Sequence, residues 1–204
     1  LLSQSQELRG ESEIRTGINP NLIECVAKAM LGRKVFEGSY TKPGGGEEVR
    51  RLQVYSIFAG GQDGVALYLD AWDLVRKDYR TFRLSRFIDW KSGQSFKPRA
   101  DYSYKDRFRH VWQVNGVGDK ATRVRLYVSR DVAAQIKETQ RHPSQKITTR
   151  PDGSLDLTFE VSSPKELLWW SFLWQGHVYA IEPPEVVVEA KLIARRLAAA
   201  YLDQ

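Results

Sequence analysis

Three arginines at intervals of three, Arg80, Arg83 and Arg86, are interleaved with Tyr79, Phe82 and Phe87. They follow closely on a strand-like run, Val65–Asp70, in which Tyr68 falls on the polar side. Guanidinium forks hold phosphate oxygens and aromatic rings stack on bases, so these residue types point to recognition of an anionic, planar ligand. The charge distribution agrees. From Arg76 to Trp112 there are eleven Lys/Arg against four Asp, a local +7 in a chain whose net charge is +6, and the same stretch holds nine of the 23 aromatic residues. Bond-making chemistry leaves no comparable trace. A nucleophile needs a base to orient it, and paired carboxylates need a spacing that keeps them apart from cations. Ser56 has no histidine near it in sequence, and Asp70 and Asp73, flanking Trp72 beside the arginines, read as ion-pair partners. With three histidines and the single Cys25, which lies on an apolar helix face, no disulfide within the chain and no metal site is expected. The chain is expected not to be an enzyme and to need no cofactor.

The elements that position these residues follow from periodicity. Val65, Leu67 and Leu69 alternate with Ala66, Tyr68 and Asp70, which predicts a strand with Leu69 inside and Tyr68 outside. In the next strand Arg80, Phe82, Leu84 and Arg86 share one face, and Tyr79, Thr81, Arg83, Ser85 and Phe87 share the other. A regular strand therefore cannot aim all three arginines into one pocket unless a bulge or curvature intervenes, and one of them is expected to be structural. Upstream, Asn19-Pro20 opens a helix whose apolar residues Leu22, Ile23, Val26, Ala27, Met30 and Leu31 recur at helical spacing as far as Gly32. Strands are predicted at Lys34–Thr41 and Glu48–Phe58, the second with Leu52, Val54 and Ser56 on one face and Arg51, Gln53, Tyr55 and Ile57 on the other. Glycine-rich turns at 42–46 and 60–64 join them. The glycine triplet Gly44–Gly46 lacks the Lys-Ser/Thr of a nucleotide loop, and Gly116-x-Gly118 lacks the strand and helix of a dinucleotide fold. Ile88–His110 has no clean period and is expected to be a mobile flap over the barrel mouth.

Asn115–Lys120 reads as the linker to a second unit. There the pattern predicts a strand at Arg123–Val128, a helix from Ser129 to about Thr139, a hairpin of Lys146–Thr149 and Ser154–Val161, and a helix opened by a capping box at Ser163-Pro164-Lys165-Glu166 and stopped by Gly176. A strand at His177–Ile181 and a last helix after Pro183-Pro184 complete a β-α-β-β-α-β order, that of a ferredoxin-like fold. Trp169, Trp170 and Trp174 on one helix read as packing or as a dimer interface. The expected class is α+β: a small curved sheet or barrel after one helix, then the ferredoxin-like unit. No apolar run approaches the roughly 18 residues of a membrane span, and the N-terminal residues lack the pattern of a signal peptide, so a soluble, cytoplasmic protein is expected.

The stretch LYLDAWDLVRKDYRTFRLSRF resembles the core of the WYL domain, in which a W-Y-L strand precedes an R-x-[FY]-R-x-x-R strand. Val35–Tyr40 and Arg51–Tyr55 fall where that family has its I-x-Y and R-x-V-x-P strands, and the run from Val124 to the final helix resembles the WCX extension common to such proteins. The resemblance implies an Sm/SH3-like barrel with a basic ligand pocket over residues 19–114, a WCX extension over 121–204 that serves dimerisation, and a linker remnant over 1–18. Family members are usually bacterial transcriptional regulators with an N-terminal helix-turn-helix unit, expected here to precede the sequence and to contact operator DNA. The implied site residues are Tyr68, Arg80, Arg83 and Arg86, with Arg51 and Ser56 beside the first strand. The implied effector is single-stranded DNA or a short oligonucleotide; the alternatives are a mononucleotide or other small anionic metabolite in the same pocket, or a structural dimerisation body that contacts operator DNA non-specifically. Two departures from the family pattern stand out. Leu67 replaces the tryptophan, and Tyr55 stands where proline is usual and alters the pocket rim.

Overall fold

The computed structural model describes residues 18–61 and 66–202. All of the linker remnant except Ile18, and most of the turn at 60–64, therefore lie outside the described residues. The chain is mixed α and β, with two antiparallel sheets and five α-helices among the described residues, and it divides into two compact units between Tyr102 and Ser103.

In the first unit, helix α1 (Pro20–Leu31) starts where the Asn19 side chain accepts a hydrogen bond from the Asn21 N–H at 2.9 Å, and proline supplies a helical φ at the first position. Its Leu22, Val26 and Ala29 are buried against a five-stranded sheet. The strands are β1 (Lys34–Thr41), β2 (Glu47–Gly60), β3 (Ala66–Asp73), β4 (Asp78–Arg83) and β5 (Lys91–Ser95), in the order β4-β3-β2-β1-β5. Phe36, Leu52, Val54, Leu69, Ala71 and Phe82 fill the core face. A short 3-10 turn, Leu84–Arg86, follows β4, and an isolated bridge between Phe87 and Tyr40 brings the chain back to β1. Gly38 is required where this return path crosses, because a Cβ there would sit 2.4 Å from the Asp89 carbonyl oxygen.

Two expectations change here. A register shift between Val54 and Ser56 inserts one extra residue into β2, so that Ile57 rather than Ser56 lies opposite the buried Leu69. The bulge turns Ser56 to the reverse face, opposite Asp70, against the simple alternation that placed it beside Val54. The segment after Phe87 is not a free flap. It supplies β5, which pairs with β1, and then packs Phe96, Arg99 and Tyr102 against Tyr55, Trp72 and Tyr79.

The second unit holds α2 (Tyr104–Phe108), β6 (Thr122–Val128), α3 (Ala133–Lys137), β7 (Lys146–Thr149), β8 (Leu155–Val161), α4 (Pro164–Phe172), β9 (Val178–Glu182) and α5 (Pro184–Leu202). Its sheet has the order β7-β8-β6-β9. Leu126, Leu155, Leu157, Phe159, Leu167 and Leu168 are its buried centre, with Trp112, Trp170 and Trp174 packed on them. The helix expected from Ser129 is only the five residues of α3, preceded by a turn. Residues 103–114 cluster with this unit, where Trp112 packs on Phe159 and Trp170 and the loop behind it is clamped.

Glu166 is the clamp. It is 2% exposed, and its two carboxylate oxygens accept hydrogen bonds from the backbone N–H groups of Gln113, Val114 and Asn115 and from the Asn115 amide, at 2.6–3.4 Å. The expected capping box is not made: Ser163 gives no side-chain cap, and Glu166 reaches across the unit instead of back to it. Because donors face both oxygens, Glu166→Gln points an NH2 group at N–H groups, and Glu166→Ala leaves several donors unmet. Each substitution is expected to cost about 3 kcal/mol, read as a fall in the urea midpoint.

His142 supplies a pH-dependent element. Burial, and secondarily the charge of His110, hold its imidazole below the ordinary value of 6.5. The unfolded state thus takes up the proton first as pH falls. The stability contributed by neutral His142 is complete above 6.5 and is lost as pH drops through the lower folded value. Melting temperatures recorded between about pH 7 and 5 are expected to fall less steeply in His142→Phe than in the parent.

Candidate functional site

The turns β1–β2 and β3–β4 lie at the same end of the sheet, and β2 and β4 begin there. That arrangement brings together Lys42 from one turn, Arg76 from the other, Arg50 from the start of β2 and Arg80 from the start of β4. The bridge between Phe87 and Tyr40 adds Arg86. These five cations, with the carboxylate of Glu48 and the rings of Tyr40 and Phe82, line a cavity of about 420 Å³.

Arg50 and Asp73 form its base. Arg50 is 5% exposed and Asp73 is fully buried, and the guanidinium Nη1 donates to Asp73 Oδ2 at 2.8 Å. The other oxygen of Asp73 accepts from the backbone N–H groups of Val75 at 2.9 Å and Arg76 at 3.3 Å, so one carboxylate fixes both the arginine and the turn that carries Arg76. Burial lowers the pKa of Arg50 from its usual value, against the opposing pull of Asp73. Its guanidinium also lies 5.7 Å from the centroid of Phe82. Arg50 Nη2 pairs with Glu48 as well, and Glu48 further meets Arg76 at 3.3 Å and Lys42 at 3.6 Å. The remaining two cations are less engaged. Arg80 reaches only Asp78, at 3.6 Å, and half-buried Arg86 makes no hydrogen bond or ion pair among the described residues.

The six residues singled out from the sequence are not brought together. Arg80 lies opposite Ala71 on the core side of the sheet and lines the cavity with Arg86. Arg83 lies opposite Tyr68 on the reverse side, as alternation requires, and the 3-10 turn after it returns Arg86 to the first side. Tyr68 stacks on Phe58 at 5.7 Å, away from the cavity, and Ser56 shares that reverse face. Arg51 is turned outward to Glu37 at 3.0 Å. Alternation contained the signal for its neighbour: Arg50 is two residues before buried Leu52 and so shares the core face. Lys42 and Arg76 carried no such signal, because they meet only through the proximity of two turns.

The aromatics of the basic segment are also placed differently from a stacking surface beside the arginines. Phe82 and Phe87 are buried in the core, and Tyr79 belongs to a cluster on the reverse face with Tyr55, Trp72, Phe96 and Tyr102. Arg99 lies 3.7 Å over the Trp72 ring and is held by both oxygens of Asp101. Burial, together with the hydrogen bond its hydroxyl donates to Asp101 at 2.8 Å, pushes the Tyr79 phenol up to about 12. No cluster of three or more His, Cys, Asp or Glu suited to a metal occurs among the described residues, and no helix among them is long and apolar enough to cross a membrane.

Residues 21–92 match the WYL domain and residues 120–198 match the WCX domain. The chain carries a WYL domain followed by a WCX domain. The WYL match contains Tyr68, the three arginines of the second motif and every cation of the cavity; residues 93–119 lie between the two matches. Among solved structures, the chain is similar to proteasome accessory factor B/C (PafBC) of Arthrobacter aurescens, with 24% identity over 90% of this chain and 27% of that one, at a TM-score of 0.40. It is also similar to a CRISPR Cas-related protein, with 11% identity over 89% of this chain and 50% of that one, at a TM-score of 0.53. The latter likeness is one of fold. The chain spans half or less of the length of both.

The base of the cavity makes a direct prediction for the WYL domain. Removing one partner of a buried pair strands the other charge, so Arg50→Ala and Asp73→Ala are each expected to cost about 3–5 kcal/mol in chemical denaturation, whereas Arg80→Ala changes stability by less than about 0.5 kcal/mol.

Proposed function

We propose that this chain is the effector-sensing and dimerisation portion of a bacterial transcriptional regulator, which binds single-stranded DNA or a short oligonucleotide in the basic cavity of its WYL domain. The observation that carries the reading is the cavity wall: five cations, two of them hardly engaged, converge on about 420 Å³ of open space. Phosphate contacts dominate in such a site, and no bond is made or broken. The binding residues are Arg80 and Arg86, with Lys42 and Arg76 beside them and Arg50 beneath. Tyr68, Arg83, Ser56 and Arg51 are not assigned to the phosphate site. A bound strand biases a helix-turn-helix unit preceding this chain, and the WCX domain joins two copies. The exposed Val188, Leu192 and Tyr201 of α5 support that dimer role. The strand order β4-β3-β2-β1-β5, with its return bridge, supports an Sm/SH3-like barrel, and the order β7-β8-β6-β9 supports a ferredoxin-like unit.

A mononucleotide or other small phosphorylated metabolite is the second reading. The cavity volume lies within the range of about 300–1,000 Å³ typical of small-molecule pockets, and the rings in its wall, Tyr40 and Phe82, are buried edge-to-face at 5.3 Å rather than open for stacking.

Fluorescence anisotropy with a labelled single strand, its duplex and free nucleotides over a salt series separates the two. Preference for the single strand, with log K falling by about 0.7 per tenfold rise in salt for each phosphate neutralised, is the expected result. Arg80→Ala and Arg86→Ala are each expected to weaken binding about tenfold and to flatten the salt slope by about one contact, while Arg51→Ala leaves both unchanged. Equal affinity for the duplex rejects the sensor reading, and tight nucleotide binding with weak strand binding selects the second.

A further inference from the structure

Within the proposed anion site, and resting on that reading, one carboxylate is placed as no simple phosphate cradle requires. We infer that Glu48 is a built-in competitor, a carboxylate of the protein that holds three of the cavity's cations until a phosphate-bearing ligand displaces it.

Glu48 Oε1 receives Arg50 Nη2 and, at 3.3 Å, Arg76 Nη2, while Oε2 lies 3.6 Å from Lys42 Nζ. Lys42, Arg50 and Arg76 come from two turns and a strand, and they converge on this single group. The other carboxylate at the base, Asp73, behaves differently. It is fully buried and accepts two backbone N–H groups, so it cannot leave without breaking the turn. The Glu48 side chain is 27% exposed and holds no backbone group among the described residues. One can be exchanged and the other cannot.

The consequence is selectivity by charge and oxygen count. A carboxylate ligand that displaces Glu48 replaces like with like, and gains nothing from the three cations. A phosphate dianion, a pyrophosphate, or two successive phosphodiesters presents more acceptor oxygens and more charge to the same guanidinium forks, and so displaces Glu48 at a profit. Arg80 and Arg86, which Glu48 does not engage, provide the first landing point for the incoming anion. Glu48 thus excludes monocarboxylates from a site that its cations alone would leave open to them.

Binding of inorganic pyrophosphate and of acetate to the 204-residue chain, measured by calorimetry, tests this. Glu48→Gln removes the competing charge and keeps the shape. It is expected to bind pyrophosphate about tenfold more tightly than the parent and to gain acetate binding that the parent lacks, a change equivalent to one charge-assisted hydrogen bond. Arg86→Ala is expected to weaken pyrophosphate binding in both backgrounds. Unchanged or weaker pyrophosphate binding by Glu48→Gln, with the Arg86→Ala loss intact, overturns the role of Glu48 and leaves the site standing. Parent-like binding by both Arg80→Ala and Arg86→Ala overturns the site and the inference together. Should Glu48→Gln fail to fold by circular dichroism, Glu48→Asp withdraws the carboxylate by one methylene; a folded Glu48→Asp with parent affinity for pyrophosphate also overturns the inference.

Discussion

The buried pair of Arg50 and Asp73 is the constraint on which the first unit's working end depends. Asp73 ends β3 and divides its oxygens, one taking the guanidinium from β2 and the other the N–H groups of the turn toward β4. A charge placed at zero exposure is costly to desolvate, and the pair need not add net stability over an apolar equivalent. What it adds is geometry. With Asp73 fixed, the turn has one conformation, Lys77 takes its left-handed backbone at φ 54°, and Arg76 and Arg80 leave the sheet from defined positions. A hydrophobic replacement of the same volume fills the space but leaves the turn N–H groups unmet and the cations without a common origin.

Much of the fold was legible in the sequence because burial repeats at the period of the element. Leu22, Val26 and Ala29 lie on one stripe of α1, and Leu69 is fully buried where Tyr68, on the opposite face, is only partly so, as alternation demands. The division of Arg80 and Arg86 from Arg83 was legible for the same reason. Ser56 was not, because a bulge inserts one residue and reverses every face beyond it, and nothing in Val54-Tyr55-Ser56 marks the insertion. The cavity was half legible: its arginine motif stands out as a run, but Lys42, Glu48 and Arg76 are joined only by the packing of turns far apart in sequence. Tyr68 and most of the aromatic residues lie away from the cavity for a related reason. Composition shows that rings and cations are neighbours in sequence, and pleating then sends them to opposite faces.

The second unit shows the same substitution of a tertiary role for a local one. Ser163-Pro164-Lys165-Glu166 has the letters of a capping box, a local device worth about 1 kcal/mol. The structure gives Glu166 several donors from a loop some fifty residues earlier, and the larger set of charge-assisted bonds prevails over the smaller. Pro164 begins α4 without that box, since a fixed φ and a missing N–H already suit the first helical position.

Electrostatics then explains why a cavity of this kind favours an anion without any ring open to stack a base. Five cations around about 420 Å³ repel one another, and among the described residues Glu48, the buried Asp73 and, at Arg80, Asp78 offset them. The repulsion is carried by the folded state and relieved when an anion arrives, so binding and stability are linked, and the ligand with most charge per volume gains most. Rings elsewhere do not alter this balance: Tyr79, Trp72 and Tyr55 are spent on Arg99 and on each other, and Phe82 lends its face to Arg50. Base identity has little to act on at such a site, whereas phosphate number and spacing have much. On the proposed reading, such a site responds to phosphate groups and their spacing rather than to a base sequence.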